Sequence, residues 1–224
     1  MIATMREPEA GEVPLGIIRT PTPQLRAFVE TQKTAMPAAD FAAMMGEIHG
    51  LYGKYRAALE AASTGVRRAQ ALHRMMEGAV ATASGVTVSC QKGCCGCCHF
   101  EVEIFGYEAE VLRDCVNGGG AVDRSRLEIQ SSRERKSPEW LKFWSRDNRC
   151  VFLGEDGACR VYEDRPAACR RLLVTTPPEA CTTLGAAVAP VQILLAEILL
   201  SAALDLDPKG HASISKMLMP LLTA

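Results

Sequence analysis

Apolar residues recur at helical spacing through the first third of the chain. After Asp40 they follow one another in alternating four- and three-residue steps, which predicts an amphipathic helix. Its seam consists of Phe41, Met45, Ile48, Tyr52, Tyr55 and Leu59. A break at residues 63–65 precedes a second helical face made of Val66, Ala69, His73, Met76 and Val80. The pattern predicts a helical hairpin within residues 24–84, which also includes a short first helix from Gln24 to about Lys33.

Helical patterning returns in the second half of the chain. Residues 108–117 form a candidate helix that ends at three consecutive glycines. Asp123 caps the next helix, which is expected to present a solvated face. The basic residues assigned to that helix are Arg124, Arg126, Arg133, Arg135 and Lys136. A further short helix is predicted over residues 138–144, where both tryptophans lie.

The C-terminal part of the chain is predicted to form buried helices over residues 191–203 and 212–222. The most apolar window, residues 184–204, is about as long as a membrane span. It contains Pro190, Gln192 and Glu197 and lacks flanking basic anchors, so a buried helix is the better interpretation.

Short β-type patterns are confined to the middle of the chain. Val102 and Ile104 alternate with glutamates, which predicts a brief strand. Residues 150–153 and 158–162 flank a Gly-Glu-Asp-Gly turn and predict a tight hairpin with a cysteine on each arm. The predicted fold class is mainly α, a helical scaffold with a small, irregular, hairpin-containing cysteine cluster.

Four segments follow from these patterns. Residues 1–23 are expected to be a flexible Pro-rich leader, and residues 24–84 the helical hairpin. Residues 85–182 hold the cysteine cluster. Residues 183–224 are expected to be C-terminal helices that pack on the same core.

Composition and charge exclude several classes of protein. The chain of 224 residues is 48% hydrophobic and 23% charged, which is sufficient for a packed core. A net charge of −1 and a pI near 6.4 give the whole protein no attraction to nucleic acid or to a membrane surface. The N-terminal residues contain no continuous apolar stretch of the signal-peptide kind, so a cytoplasmic location is expected.

Cysteine is the residue that points to chemistry. Five thiols and His99 fall within the ten residues 90–99, and four more cysteines follow at positions 150, 159, 169 and 181. In a reducing compartment, such thiols are metal ligands or redox groups rather than disulfides. Only Cys115 stands apart, and we interpret it as a core residue. A metal ion is therefore the expected partner, while a protein partner stays open.

The cysteine spacing resembles a known family. Residues 90–98 read C-x-x-x-C-x-x-C-C, and residues 159–170 read C-x-V-Y-x-x-R-P-x-x-C-R. This two-part signature, over about residues 86–182, is similar to the YkgJ-like CxxCxxCC proteins, whose domain is described as zinc- or iron-chelating. The resemblance implies a ligand set of Cys90, Cys94, Cys97, Cys98, Cys150, Cys159, Cys169 and Cys181. Glu108-Ala109 matches a Glu-Ala pair of the family, whereas Cys95 is an additional thiol.

The form of the site stays open at this stage. Eight thiolates are too many for one mononuclear ion, so two mononuclear sites, a binuclear site, or one iron–sulfur cluster with spare thiols are all consistent with the sequence. Their negative charge needs cations nearby. The candidates for that role are Lys92, Arg160, Arg165, Arg170 and Arg171.

Three functions fit such a site. A structural or metal-carrying role is favoured over catalysis, because no nucleotide loop or HExxH motif is present. The larger flagellin lysine N-methylases resemble the family in carrying the same cluster, so a protein-modifying enzyme is the first alternative, with His99 and Glu108 as a base or as supporting groups. A thiol redox switch among Cys94, Cys95, Cys97 and Cys98 is the second.

Overall fold

A computed structural model describes residues 15–142, 145–183, 185–207 and 210–223. Most of the predicted leader, together with Phe143 and Trp144, therefore lies outside the described residues. The prediction of a mainly α fold is confirmed, because the described residues form eight α-helices and a single two-stranded sheet. No helix in the described ranges is both long enough and apolar enough to cross a bilayer.

The first compact unit contains described residues 15–83 and 192–207. Its helices are α1 (Pro23–Ala35), α2 (Ala38–Ala61), α3 (Val66–Ala81) and α7 (Leu194–Leu206). α7 contacts the other three helices and is buried along most of its length. Two buried carboxylates on it accept hydrogen bonds, Asp205 from Tyr52 at 2.6 Å and Glu197 from Thr22 at 2.7 Å. α7 is therefore the central helix of this unit.

The second unit contains described residues 84–183, 185–191 and 210–223. Its helices are α4 (Gly106–Asn117), α5 (Arg124–Ser131), α6 (Ala167–Arg171) and α8 (Ile214–Thr223). Strands β1 (Glu103–Phe105) and β2 (His211–Ser213) pair in antiparallel fashion, with Ile104 opposite Ala212. The core of the unit consists of Ile104, Ala109, Leu112, Leu127, Val151, Phe152, Val161, Ile214 and Leu218. α8 packs on α4 and α5, and all ten cysteines lie in this unit.

The C-terminal helices differ from the predicted pattern. α7 belongs to the first unit and α8 to the second. Residues 212 and 213, predicted to be helical, form β2 instead, because Gly106 donates to the carbonyl of Gly210 and Ile214 donates to that of Val102. The apolar spacing of α8 extends back into this short strand, so the sequence pattern did not distinguish the strand from the helix.

The predicted basic face of α5 is present only in part: Arg124, Arg135 and Lys136 are exposed, but the last two lie beyond the end of the helix. The helix ends at Ser131, and Lys136 has a positive φ of 55°, which ordinary helix residues do not adopt. The Arg133 guanidinium lies 4.7 Å from the centre of the Trp140 ring. Arg126 is buried, with 8% of its surface exposed, and donates to the carbonyl of Leu153 at 2.9 Å. These arginines support neighbouring loops instead of forming a solvated face.

The predicted hairpin is present as a short bridged turn. Leu153 and Cys159 form an isolated antiparallel bridge, and Arg160 donates to the carbonyl of Phe152 at 2.9 Å. Gly154 donates to Ala158 across the turn at 2.9 Å. Regular strands do not extend from it, yet Cys150 and Cys159 are brought to its two sides.

Candidate metal centre

The first group of cysteines lies on two consecutive turns. Cys94 donates its backbone N–H to the carbonyl of Gln91, and a 3₁₀ turn follows over Gly96–His99. A 3₁₀ helix has three residues per turn, so successive side chains point about 120° apart. Cys97 and Cys98 are consecutive residues of this turn, and their thiols nevertheless lie within hydrogen-bond distance of each other.

Cys90 lies at the edge of a layer of extended segments. Ser89 donates to the carbonyl of Val174 at 2.9 Å, and Val174 donates in return to the sulfur of Cys90 at 3.3 Å. The carbonyl of Leu173 accepts from Val191, which adds a third extended segment. The sulfur of Cys90 is thus held by a backbone donor before any ligand binds.

Cys181 is positioned by direct contact with the 3₁₀ turn. A Cβ atom built on Gly96 would lie 2.6 Å from the Cβ of Cys181 and 3.2 Å from its carbonyl oxygen. Only a residue without a side chain permits this approach. Gly96 therefore brings Cys181 close to Cys94 and Cys97, although 85 residues separate Gly96 from Cys181 in the chain.

The other three cysteines come from the segment of residues 150–169, which contacts the 3₁₀ turn through Cys150. Cys150 donates its backbone N–H to the carbonyl of Cys98 at 2.7 Å. The bridged turn carries Cys159 alongside. Cys169 lies on the short helix α6, where its N–H donates to the carbonyl of Pro166.

Glu108 fixes the position of α6. This carboxylate is 2% exposed and accepts hydrogen bonds from the backbone N–H of Phe105 at 3.1 Å and of Ala167 at 2.8 Å. It thereby joins the start of α4 to the start of the helix that carries Cys169. Its bonds to two backbone donors indicate a positioning role, and the Glu-Ala pair noted in the sequence gains a physical reason.

The pKa shifts of the thiols indicate which of them act on one another electrostatically. Burial raises the pKa of Cys90, and negative charge at Cys94 and Cys97 raises it further. Burial also raises the pKa of Cys181, with added contributions from the same two cysteines and from Cys90. These four thiols are within electrostatic reach of one another.

A second set of thiols adjoins the first through Cys97. The thiol of Cys98 donates to the sulfur of Cys97, which lowers the pKa of Cys97 to about 7 and raises that of Cys98. Burial raises the pKa of Cys150 to about 11 and also raises the pKa values of Cys159 and Cys169. Negative charge at Cys97 contributes to all three of these increases. All eight cysteines of the predicted ligand set are therefore connected.

The remaining two cysteines are not in the predicted ligand set. Cys115 packs against the core and donates to the carboxylate of Asp164 at 3.4 Å, as expected for a core residue. Burial raises the pKa of Cys115 to about 11. The sulfur of Cys95 lies next to Gly157 in the bridged turn, 3.8 Å from the position of a Cβ there. Neither residue is a leading cause of the pKa shifts of the other thiols.

Arg165 is the cation whose charge acts on three of these thiols. Its positive charge lowers the pKa values of Cys90, Cys97 and Cys159, against the effect of burial. The guanidinium lies 4.1 Å from the centre of the Tyr162 ring, which holds it in place. Other cations proposed from the sequence have different partners, since Lys92 pairs with Glu163, Arg160 pairs with Asp156, and Arg170 donates to backbone carbonyls.

The thiols are near one another without forming a finished coordination shell. Within the described ranges, no three Cys, His, Asp or Glu side chains are already placed to hold a metal ion. None of the ten cysteines forms a disulfide. The donor set fits zinc or iron by its chemistry, because thiolate is a preferred ligand of both metals.

Gly96 provides a test of the contact with Cys181. Gly96→Ala is expected to displace Cys181 and reduce bound metal, because the new Cβ would overlap the Cβ of Cys181 at 2.6 Å. Gly85→Ala is the matched control, since nothing lies within 4 Å of a Cβ there. Metal analysis of both purified variants checks this. Equal metal content in Gly96→Ala and the control would contradict the placement of Cys181.

The part of the second unit that carries the clustered cysteines matches a known domain family. Residues 89–182 match the family model CxxCxxCC, described as "Putative zinc- or iron-chelating domain". The chain thus carries a CxxCxxCC domain, as its cysteine spacing predicted. No curated protein and no solved structure matches the chain.

Two features of the site were not predicted from the sequence. The close packing of Gly96 on Cys181 depends on a contact between distant segments, and no local pattern signals it. The link from Glu108 to Ala167 is also long-range. The bond from Phe105 to Glu108 has a local sequence signal, because a glutamate at the third position of a helix commonly accepts a hydrogen bond from the backbone N–H that precedes the helix.

Proposed function

We propose that the second unit binds zinc or iron through eight cysteine thiolates and that the bound metal serves a structural or metal-carrying role. The ligands are the cysteines at positions 90, 94, 97, 98, 150, 159, 169 and 181. The proposal assumes a reducing compartment such as the cytoplasm, where thiols remain available to metal.

One observation carries the proposal. Cysteines from three distant segments, residues 90–98, 150–169 and 181, influence one another's pKa values, whereas Cys115 does not join them. Burial and mutual repulsion raise the pKa values of most of these thiols, so they lose their protons at neutral pH only when a cation is bound among them. A bound metal supplies that positive charge and can use every thiol in the set.

Metal and acid-labile sulfide analysis of protein purified without oxygen tests this function, together with the visible absorption spectrum. We expect zinc or iron in stoichiometric amounts. Zinc without sulfide supports the structural or metal-carrying role. Iron with sulfide supports the iron–sulfur alternative, a protein-modifying enzyme similar to flagellin lysine N-methylases. Protein that binds neither metal would overturn the proposal.

A thiol redox switch is a second candidate, and Cys97 favours it. The hydrogen bond from Cys98 lowers the pKa of Cys97 to about 7, so a large share of this residue is thiolate at neutral pH. Thiolates are the reactive form in disulfide exchange. A switch among residues 94–98 does not account for Cys150 and Cys169, whose charges act on Cys98, so metal binding explains more of the structure.

A further inference from the structure

We propose that Arg165 is a positioning residue of the metal centre, whose Nε–H group donates a hydrogen bond to a cysteine sulfur when metal is bound. This inference rests on the proposed function, since it concerns the same thiolates. A directed N–H···S bond also differs from charge compensation, which any nearby cation supplies without a fixed geometry.

The Nε–H group of Arg165 is a buried donor that lacks an acceptor. Its nitrogen is shielded from solvent and makes no hydrogen bond among the described residues. Leaving such a donor unpaired is unfavourable, and folded proteins rarely do so unless a ligand, an ion or a water molecule completes the site. A thiolate that forms when metal binds is a stronger acceptor than a thiol, so the metal-bound state would supply the missing partner.

The position of this donor is fixed by its neighbours. The guanidinium of Arg165 lies 4.1 Å from the centre of the Tyr162 ring. The backbone is held as well, because Arg170 donates from Nε to the carbonyl of Arg165 at 2.8 Å and from a second nitrogen to the carbonyl of Glu163. A donor held at both ends is suited to a bond of defined direction.

On one side, the loop of Arg165 packs against the first group of cysteines. The Nζ atom of Lys92 lies 5.2 Å from the centre of the same Tyr162 ring and 3.3 Å from a carboxylate oxygen of Glu163. Lys92 belongs to residues 90–94, which begin and end with a cysteine. These contacts bring the loop of Arg165 to a segment that is about seventy residues earlier in the chain.

On the other side, Arg165 leads directly into the helix that carries Cys169. Ala167, at the start of α6, donates its N–H to the buried carboxylate of Glu108 at 2.8 Å. Cys169 follows one turn after Arg165. The arginine therefore lies in a loop that joins the two groups of cysteines.

Electrostatic effects agree with this placement. The charge of Arg165 lowers the pKa values of Cys90, Cys97 and Cys159, which come from both groups. The sulfurs of these three residues are the candidate acceptors for the Nε–H group.

The substitution Arg165→Lys separates the directed bond from the charge. Lysine keeps the positive charge but has no planar N–H group at the position of Nε. We expect the metal affinity of the full chain to fall about tenfold or more, as it does when other groups that hold metal ligands are lost. Competition with a chromophoric chelator measures it, with zinc or ferrous iron, whichever metal the purified protein contains.

Arg160→Lys is the matched control, because the guanidinium of Arg160 pairs with Asp156 at the surface. Its metal affinity should equal that of the wild type. Wild-type affinity in Arg165→Lys would overturn the inference and leave the proposed function standing. A wild-type protein that binds neither zinc nor iron would overturn both.

Nuclear magnetic resonance of the wild type provides a test that does not depend on the folding of a variant. In protein loaded with cadmium-113, a hydrogen bond to a metal-bound sulfur gives a scalar coupling between the donor proton and the metal. We expect this coupling at the Nε–H proton of Arg165, and it should persist in Arg160→Lys. Cadmium-loaded wild type without the coupling, as expected for a bond to water or for a purely structural arginine, would overturn the inference.

Discussion

Cys159→Ser will lower the metal content and the thermal stability of the protein together. Cys159 lies on the bridged turn, and its pKa responds to the charges of Cys97 and Arg165. The binding free energy of a structural zinc site is largely folding free energy, about 10–16 kcal/mol in small domains. Loss of one ligand should therefore reduce the free energy of unfolding by about 4 kcal/mol or more.

Cys115→Ser is the matched control for this substitution. Cys115 packs against the core and hydrogen-bonds to Asp164, outside the set of eight. We expect full metal content and only a modest loss of stability. Metal analysis and thermal unfolding of both variants decide the question. Unchanged metal in Cys159→Ser would remove it from the ligand set, and loss of metal in Cys115→Ser would make that residue a ligand.

Removal of the metal will loosen the second unit far more than the first. The unit that holds the cysteines contains two three-residue strands, several single turns and only short helices. Without metal, the segments that carry the cysteines lose the metal–sulfur bonds that would join them. The first unit has a helical core around α7 and no cysteine, so its stability does not depend directly on metal.

Hydrogen exchange with and without a chelator measures this difference. Amides that hold the site, such as those of Cys150 and Ala167, should lose protection by orders of magnitude. Amides within α2 and α3 should change little. Metal-poor Cys159→Ser is the control, since a chelator should have a much smaller effect on it. Equal loss of protection in both units, or none in either, would contradict the account.

The sequence predicted the helices of the first unit well because their periodicity is regular. Ile48, Tyr52 and Leu59 follow the predicted seam of α2, and all three are buried. Ala69, His73 and Met76 do the same on α3. In long amphipathic helices, the spacing of the apolar residues is enough to identify the buried face.

Short elements were predicted less well because distant contacts determine them. β2 exists because residues 211–213 pair with β1, about a hundred residues earlier in the chain. α5 ends at Ser131, shortly before Arg133, whose guanidinium lies over the Trp140 ring. Neither interaction leaves a local pattern in the sequence, so helical spacing was extended too far in both places.

The candidate site was visible through residue type rather than through periodicity. Thiol density and spacing identified the cysteines, and the structure then showed how they are arranged. The packing of Gly96 on Cys181, the bonds of Glu108 and the place of Arg165 all depend on the fold. The sequence offered five candidate cations for charge compensation. Only the folded chain shows that the charge of Arg165 acts on three of the thiols.

X-ray absorption of the purified full-length protein at the zinc and iron edges is the most direct test of metal binding by these thiolates. The account predicts a first shell made of sulfur, with metal–sulfur distances of about 2.3 Å if the metal is zinc. Cys115→Ser should give the same spectrum. A first shell made of nitrogen or oxygen, or the absence of both metals from the protein, would contradict it.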